Sequence, residues 1–257
     1  MKNKRLALLI SGGGTTAEAV IQASARGKLK GIKPVVVISS RKDAGGIAKA
    51  KALHISTRVV DPKTCATRAA FGKKILAILR AFDVDVVSQN GWLPLTPLEI
   101  IQAYNGNIMN QHPGPLDPGR EDFGGKGMYG KRVTCARIAY AWMSGGDFWT
   151  ESSVHMVTEE FDKGSVLRAV KLRMPSVKKP VSFDALRANT KKLINTTNEV
   201  ASALLPLEHA NVIAVVQLFA KKHPLPSVRR RSPLVVKKDE ALLQKAKELA
   251  IALFPKG

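Results

Sequence analysis

The stretch RLALLISGGGTTAEAVIQASARGKL, residues 5–29, decides the fold. RLALLI is an unbroken apolar run of strand length, SGGGTT is a turn, and the segment after it repeats apolar residues at Ala17, Val20, Ile21 and Ala25, one helix face. The same unit then recurs. KPVVVISS (33–40) is a β-branched run of the kind that parallel strands buried on both faces require. AGGIAKAKALHI (44–55) reads as a helix, STRVVD (56–61) as a short strand, and residues 66–82 as a third helix with Phe71, Ile75, Ile78 and Leu79 on one side. DVDVVSQNGW (83–92) is another buried strand, PLTPLEIIQAY (94–104) a helix, and GNIMNQHPG (106–114) a strand ending in a turn. This alternation predicts an α/β fold built on a mostly parallel, twisted sheet flanked by helices.

Beyond residue 113 the pattern loosens. PGPLDPGREDFGGKGMYGK (113–131) reads as a long loop, RVTCARIAYAWM (132–143) as a helix, ESSVHMVT (151–158) as an alternating strand and VLRAVKLRMPS (166–176) as a further strand. Residues 183–205 are helical, and 208–220 either continue that helix or form another. PLPSVRRRSP (224–233) resembles a linker, and DEALLQKAKELAIAL (239–253) places Leu242, Ala246, Leu249, Ala250 and Leu253 on one side of an amphipathic helix. The expected division is a main domain over 1–206 and a basic helical C-terminal extension over 207–257. If that extension is an appendage, removing residues 232–257 leaves the chemistry intact.

With 257 residues, 45% hydrophobic and 24% charged, the chain has the composition of a globular protein with one substantial core. No apolar run reaches the roughly 18–20 residues of a membrane span. The run Leu6 to Ile10 is too short for a signal peptide and leads straight into glycines. Only Cys65 and Cys135 occur, which argues against a disulfide scaffold and suits a reducing cytoplasm. His54, His112, His155, His209 and His223 lack the spacing of helical metal ligands, so no metal is expected. The net charge is +21, and residues 163–257 carry 19 Lys/Arg against 6 Asp/Glu. Such a surface attracts phosphates or nucleic acid by salt-sensitive electrostatics, or is simply a solvated basic face.

Three features could carry chemistry. A strand–GGG–helix junction offers unpaired backbone N–H groups to an anion, although glycines also serve plain turn geometry. Asn110 and His112 lie two apart on a strand and so point the same way. An amide beside an imidazole suits acyl transfer, the amide holding a developing oxyanion and the imidazole moving a proton. The competing reading is a polar strand end satisfied by backbone. Asp162, in EEFDKG, is either a turn residue or the carboxylate that orients the imidazole.

SGGGTT, SSRKDAGGIAKAKALHI, QNGWLPL, NIMNQHPG and SSVHMVTEEFDKGSVL, in this order across residues 5–170, resemble the glycinamide-ribonucleotide (phosphoribosylglycinamide) formyltransferase family. The resemblance implies a Rossmann-like formyltransferase fold, the domain 1–206, and formyl transfer from 10-formyltetrahydrofolate, as cosubstrate, to the primary amine of glycinamide ribonucleotide in purine biosynthesis. By that resemblance Asn110 polarises the formyl carbonyl, His112 donates a proton to the leaving folate nitrogen, and Asp162 supports His112. Gly14, Thr15, Thr16, Ala17 and Glu18 match the segment that holds the substrate phosphate. Arg68, Leu93, Pro94, Leu95 and Thr96, with Asn110 and Thr158, Glu159, Glu160, Phe161 and Asp162, match the folate-binding residues. His155 is expected to be structural.

Departures from the family pattern bear on the acceptor. GREDFGGKGMYG looks like an insertion, Gly13 and Thr16 stand where the loop often has Asn, and the late acidic residue that contacts the amine falls near Lys191, in a basic segment. Related readings are a formyltransferase acting on a sugar nucleotide or on methionyl-tRNA. A non-catalytic nucleic-acid-binding protein on this fold is the reading from another class, against which stand aromatics of only 5%. Expected partners are small-molecule substrates, with nonspecific nucleic acid at the basic tail and a homodimer both compatible with the sequence; no membrane is expected.

Overall fold

The computed structural model of the protein describes residues 2–221 and 225–257. His223, counted above among the histidines, lies outside them. Seven strands form one sheet: β1 (Lys4–Ile10), β2 (Ile32–Ser39), β3 (Ser56–Val59), β4 (Val86–Gln89), β5 (Ile108–His112), β6 (Trp149–Met156) and β7 (Val166–Arg173), in the order β3-β2-β1-β4-β5-β6-β7. The first five are parallel, and β6 and β7 are antiparallel additions. The helices are α1 (Thr15–Ala25), α2 (Gly45–Ala52), α3 (Arg68–Ala81), α4 (Leu98–Ala103), α5 (Lys131–Ser144), α6 (Phe183–Ala188), α7 (Thr190–Phe219) and α8 (Glu240–Leu253).

The continuous apolar run of β1 is explained by helices on both faces of the sheet. Leu6, Leu8 and Ile10 face Val20 and Ile21 of α1 and Val212, Val215 and Val216 of α7. Ala7 and Leu9 face the other way, toward Phe71, Ile75 and Leu79 of α3 and Ile100 of α4. Chain order reverses at β1: the chain moves outward through β2 and β3, then returns to β4 on the opposite side. In a sheet of this kind the crevice beyond the carboxyl ends of those strands receives ligands.

Three expectations change. First, β6 is buried from Thr150 to His155 and not on alternate residues. Both its faces are covered, and its polar groups find internal partners: Asn211 Nδ2 donates to the Ser152 carbonyl at 2.9 Å and Ser153 Oγ to the Gly114 carbonyl at 2.8 Å. Second, residues 190–219 form a single 30-residue helix, so the boundary expected at 206/207 falls inside α7. Pro206 removes a helical N–H, but Leu204 on one side and Val212 on the other are fixed in the core, and the helix runs through. Third, α7 is long and apolar enough by length and composition to cross a membrane. Its apolar stripe is spent on packing against α1, α5, β6 and β7.

The segment 225–257 does not hang free. Ala246, Leu249 and Ala250 of α8 are buried in a second core with Val133, Cys135 and Ala139 of α5. The linker-like arginines are likewise used: Arg230 Nε donates to the Leu116 carbonyl at 2.5 Å, and its guanidinium pairs with the fully buried Glu151. Because Leu249 is buried at the α5 contact, Leu249→Ala should lower the unfolding free energy by about 2 kcal/mol or more. Urea denaturation measures this, and an unchanged midpoint would show that α8 contributes nothing to the core.

Candidate active site

The carboxyl ends of β1, β4 and β5 open into one cavity of about 790 Å³. Its lining includes the glycine turn 12–16, Trp92 and Leu93 after β4, Asn110 and His112 of β5, the loop 125–131, and Glu208 of α7. At the end of β1, Gly14 caps α1 in a left-handed conformation (φ 65°) and supplies no side-chain hydrogen bond to the first turn. A Cβ there would lie 2.6 Å from Gly46 Cα, so only glycine permits this turn. The first amides of α1 are thereby left for an anion in the cavity.

At the opposite wall, Asn110 and His112 project from the same face of β5. Antiparallel pairing sets His155 of β6 directly across from Asn110. Asp162 sits in the turn after β6 with φ 58°, a left-handed conformation that aspartate tolerates. Its carboxylate gathers the group: His112 Nδ1 is 3.6 Å from Oδ2, His155 Nε2 is 3.4 Å from Oδ1, and Asn110 Nδ2 is 3.5 Å from Oδ1. The Gly125 amide donates to Oδ2 at 3.0 Å. Burial acts to raise the Asp162 carboxyl, but the two imidazoles and this amide outweigh it and hold the group well below the usual carboxylate range. Asp162 is therefore a fixed anion.

His112 Nε2 lies 3.3 Å from the Phe123 carbonyl, so that nitrogen carries a hydrogen. Complete burial pushes the imidazole below its ordinary pKa of 6.5 despite Asp162, and it rests neutral. A second proton would face Asp162. The ring is thus arranged to take up a proton briefly and release it, the requirement of acid–base catalysis. His155 Nδ1 donates to the Met156 carbonyl at 2.9 Å, which fixes its ring against Asn110 and Asp162.

The loop after His112 makes two of these contacts. Phe123 is fully buried, edge-on to Tyr140 at 5.4 Å, and this anchors the following glycines over Asp162. A Cβ on Gly124 would meet Asp162 Cβ at 2.7 Å, so the loop approaches the carboxylate as closely as glycine allows.

The other sequence-derived residues divide. Gly14, Thr15, Thr16, Leu93, Leu95 and Phe161 line the large cavity. Pro94, Leu95, Thr96, Thr158, Glu160 and Phe161 line a groove of only about 30 Å³ on the far side of Asn110 and Asp162. Arg68 donates to the Thr96 carbonyl at 2.7 Å and so braces the 93–96 segment. Ala17 is core, Glu18 pairs with Lys49 at 2.7 Å, and exposed Glu159 lines neither space.

The residue expected near the acid position, Lys191, does not line the large cavity; the acid that lines it from α7 is Glu208, further along the same helix. Burial raises its carboxyl to about 7. Its sequence signal was a charged residue on the buried stripe Leu204, Glu208, Asn211, Val215. Trp92 was also missed; it is buried, stacks on Phe71 at 5.9 Å, and its Nε1 has no partner although it borders both spaces.

A family model described as formyl transferase matches residues 4–197. The chloroplastic phosphoribosylglycinamide formyltransferase of Vigna unguiculata is 29% identical over 222 residues, covering 86% of this chain and 62% of that protein. The chain therefore spans less than two thirds of that relative's length. The phosphoribosylglycinamide formyltransferase of Escherichia coli (strain K12) is 28% identical over 65% of this chain and 72% of its own. Among solved structures, the phosphoribosylglycinamide formyltransferase from Brucella melitensis is 28% identical with a TM-score of 0.65, covering 88% of this chain and all of that one (100%).

Glu208 yields a stability test. Its folded pKa of about 7 lies above the unfolded value of 4.5, so stability is lost as pH rises through that window. Glu208→Gln should gain on the wild type as pH rises from about 5 to 8, by roughly 2–3 kcal/mol. Parallel stability curves in denaturant titrations across that range would contradict the buried acid.

Proposed function

We propose that this chain, which belongs to the formyl transferase family, moves the formyl group of 10-formyltetrahydrofolate onto the primary amine of glycinamide ribonucleotide, a step of purine biosynthesis. The observation that carries the reading is the meeting of Asn110, His112 and Asp162 at one wall of a cavity whose other end is the open glycine turn of α1. An acceptor with a phosphate at one end and an amine at the other would span that distance, its phosphate on the amides of Thr15 and Thr16 and its amine between Glu208 and His112.

Asn110 Nδ2 is the donor placed to hold negative charge as it develops on the formyl oxygen, and such a donor acts most strongly where water is excluded. His112, neutral at rest, accepts the proton that the amine loses on attack. The imidazolium so formed is held by Asp162 and returns the proton to the leaving folate nitrogen. The bond from formyl carbon to the acceptor nitrogen forms, the bond to the folate nitrogen breaks, and no net proton is consumed at the imidazole. For this the ring takes its other tautomer, with the hydrogen on Nδ1 toward Asp162, so that Nε2 leaves the Phe123 carbonyl with a free lone pair; the 3.3 Å contact is a weak one to give up.

For the formyl folate, the residues fit in chemistry: the 94–96 segment, Trp92 with its Nε1 unpartnered among the described residues, and Phe161 frame the groove beside Asn110. In size the groove holds about one water, so the turn 158–162 must swing away from 93–96 for a bicyclic ring to enter. A second reading rests on Lys126 and Lys131, which line the large cavity and favour an acceptor with a further anionic group, such as an amino-sugar nucleotide.

In a formyl-transfer assay, His112→Ala should lower kcat at least about a hundredfold. Asn110→Ala should lower it by about 10²–10³ with a smaller change in KM. Turnover within a few-fold of wild type for either variant would remove that residue from the mechanism.

A further inference from the structure

Three consecutive residues of the inserted loop touch three different partners. The Phe123 carbonyl meets His112, the Gly124 carbonyl accepts from Lys247 Nζ at 3.0 Å, and the Gly125 amide donates to Asp162 at 3.0 Å. The second and third of these belong to one peptide unit, the carbonyl of Gly124 and the N–H of Gly125. We propose that Lys247 of α8 is a positioning residue for Asp162 and His112, acting through the Gly124–Gly125 peptide and thereby making the C-terminal helix part of the catalytic centre. This rests on the formyl-transfer reading for its consequence in turnover, but not for the electrostatic link itself.

Two effects link Lys247 to Asp162 and His112. An ammonium on a peptide oxygen polarises the amide at the other end of the same planar unit, so the Gly125 N–H becomes a stronger donor to the carboxylate. The ammonium is also half-buried, and its positive charge works against a proton on His112. The loop is held from the same side by further bonds: Arg120 Nη2 donates to the Val235 carbonyl at 3.4 Å, and Arg132 Nε to the Phe254 carbonyl at 2.8 Å. Lys247 alone among these reaches the peptide that touches Asp162. It lies beyond the residues matched by the family model, as does the whole of α8.

The charged and titratable groups facing this cluster are Asp162 after β6, His155 on β6, His112 on β5, and Glu121 and Asp122 of the loop beside Lys247. Burial lowers the Lys247 ammonium below its ordinary value, while Glu121, Asp122 and Asp162 oppose that. Removing its charge favours protonation of His112, and neutral His112 is the form that starts the reaction. The acid limb of the rate profile therefore moves to higher pH.

The test is the titration of His112 by NMR of histidine-labelled, substrate-free protein, with the pH dependence of kcat measured on the same samples. In Lys247→Met the His112 midpoint and the acid limb should both rise by roughly half a pH unit. In the same variant kcat should fall roughly tenfold with KM little changed. Lys247→Arg, which keeps charge and donor, should restore both the midpoint and the limb. If Lys247→Met does not fold, Lys247→Gln keeps a donor to Gly124, loses only the charge, and should show the same His112 shift. A His112 midpoint equal to wild type in folded Lys247→Met or Lys247→Gln would overturn the proposal, whatever the change in stability. The shift present in a protein that forms no formylated product would instead refute the formyl-transfer reading and leave the link from Lys247 standing.

Discussion

A carboxylate withdrawn from water either takes up a proton or is matched by donors held at close range. Asp162 is 7% exposed, and its polar neighbours come from parts of the chain far apart in sequence. Asn110 comes from a parallel strand at the centre of the sheet, His155 from an antiparallel strand beside it, and the Gly125 amide from the loop after His112. The antiparallel pairing of β5 with β6 is what sets Asn110 opposite His155. A left-handed backbone at Asp162 then returns the chain so that the side chain points back at both. Each of these devices would be a cost without the others, because a partly compensated buried charge is worse than none.

That constraint accounts for the loop after His112 and for the C-terminal segment packed on it. The loop after His112 is a wall of the cavity whose glycines permit backbone to approach Asp162 within contact distance. The loop in turn needs support, which the segment 225–257 supplies through Lys247, the Arg120–Val235 contact and the Arg132–Phe254 contact. The basic character of the C-terminal third is thus partly structural: Arg230 neutralises Glu151 inside the protein and ties the chain to Leu116.

The parallel core was legible in the sequence because a strand covered on both faces must be apolar throughout, and RLALLI and VVVI announce it. The shared face of Asn110 and His112 followed from strand geometry alone, and the glycine turn from the need for a Cβ-free junction. Less legible was anything depending on contacts across long separations. Glu208 lies beyond the place where the resemblance puts an acid, and only the packing of α7 beside the strand ends brings it to the cavity. Alternation in ESSVHMVT suggested one exposed face, but Asn211 and Gly114 satisfy polar groups that the sequence could not show to be covered. Whether 208–220 continue the preceding helix is open in the sequence, and packing on either side carries α7 through Pro206. Nor could spacing reveal that the 158–162 turn closes against 93–96, leaving room for about one water.

The cavity's function turns on whether an amine receives a formyl group in it. The direct measurement is to incubate the wild-type protein with 10-formyltetrahydrofolate and, separately, glycinamide ribonucleotide, amino-sugar nucleotides and methionyl initiator tRNA, and to weigh the products by mass spectrometry. The predicted result is glycinamide ribonucleotide heavier by one formyl group, with an equal loss of formyl folate. Folded protein that leaves every acceptor unformylated while the formyl folate persists would contradict it.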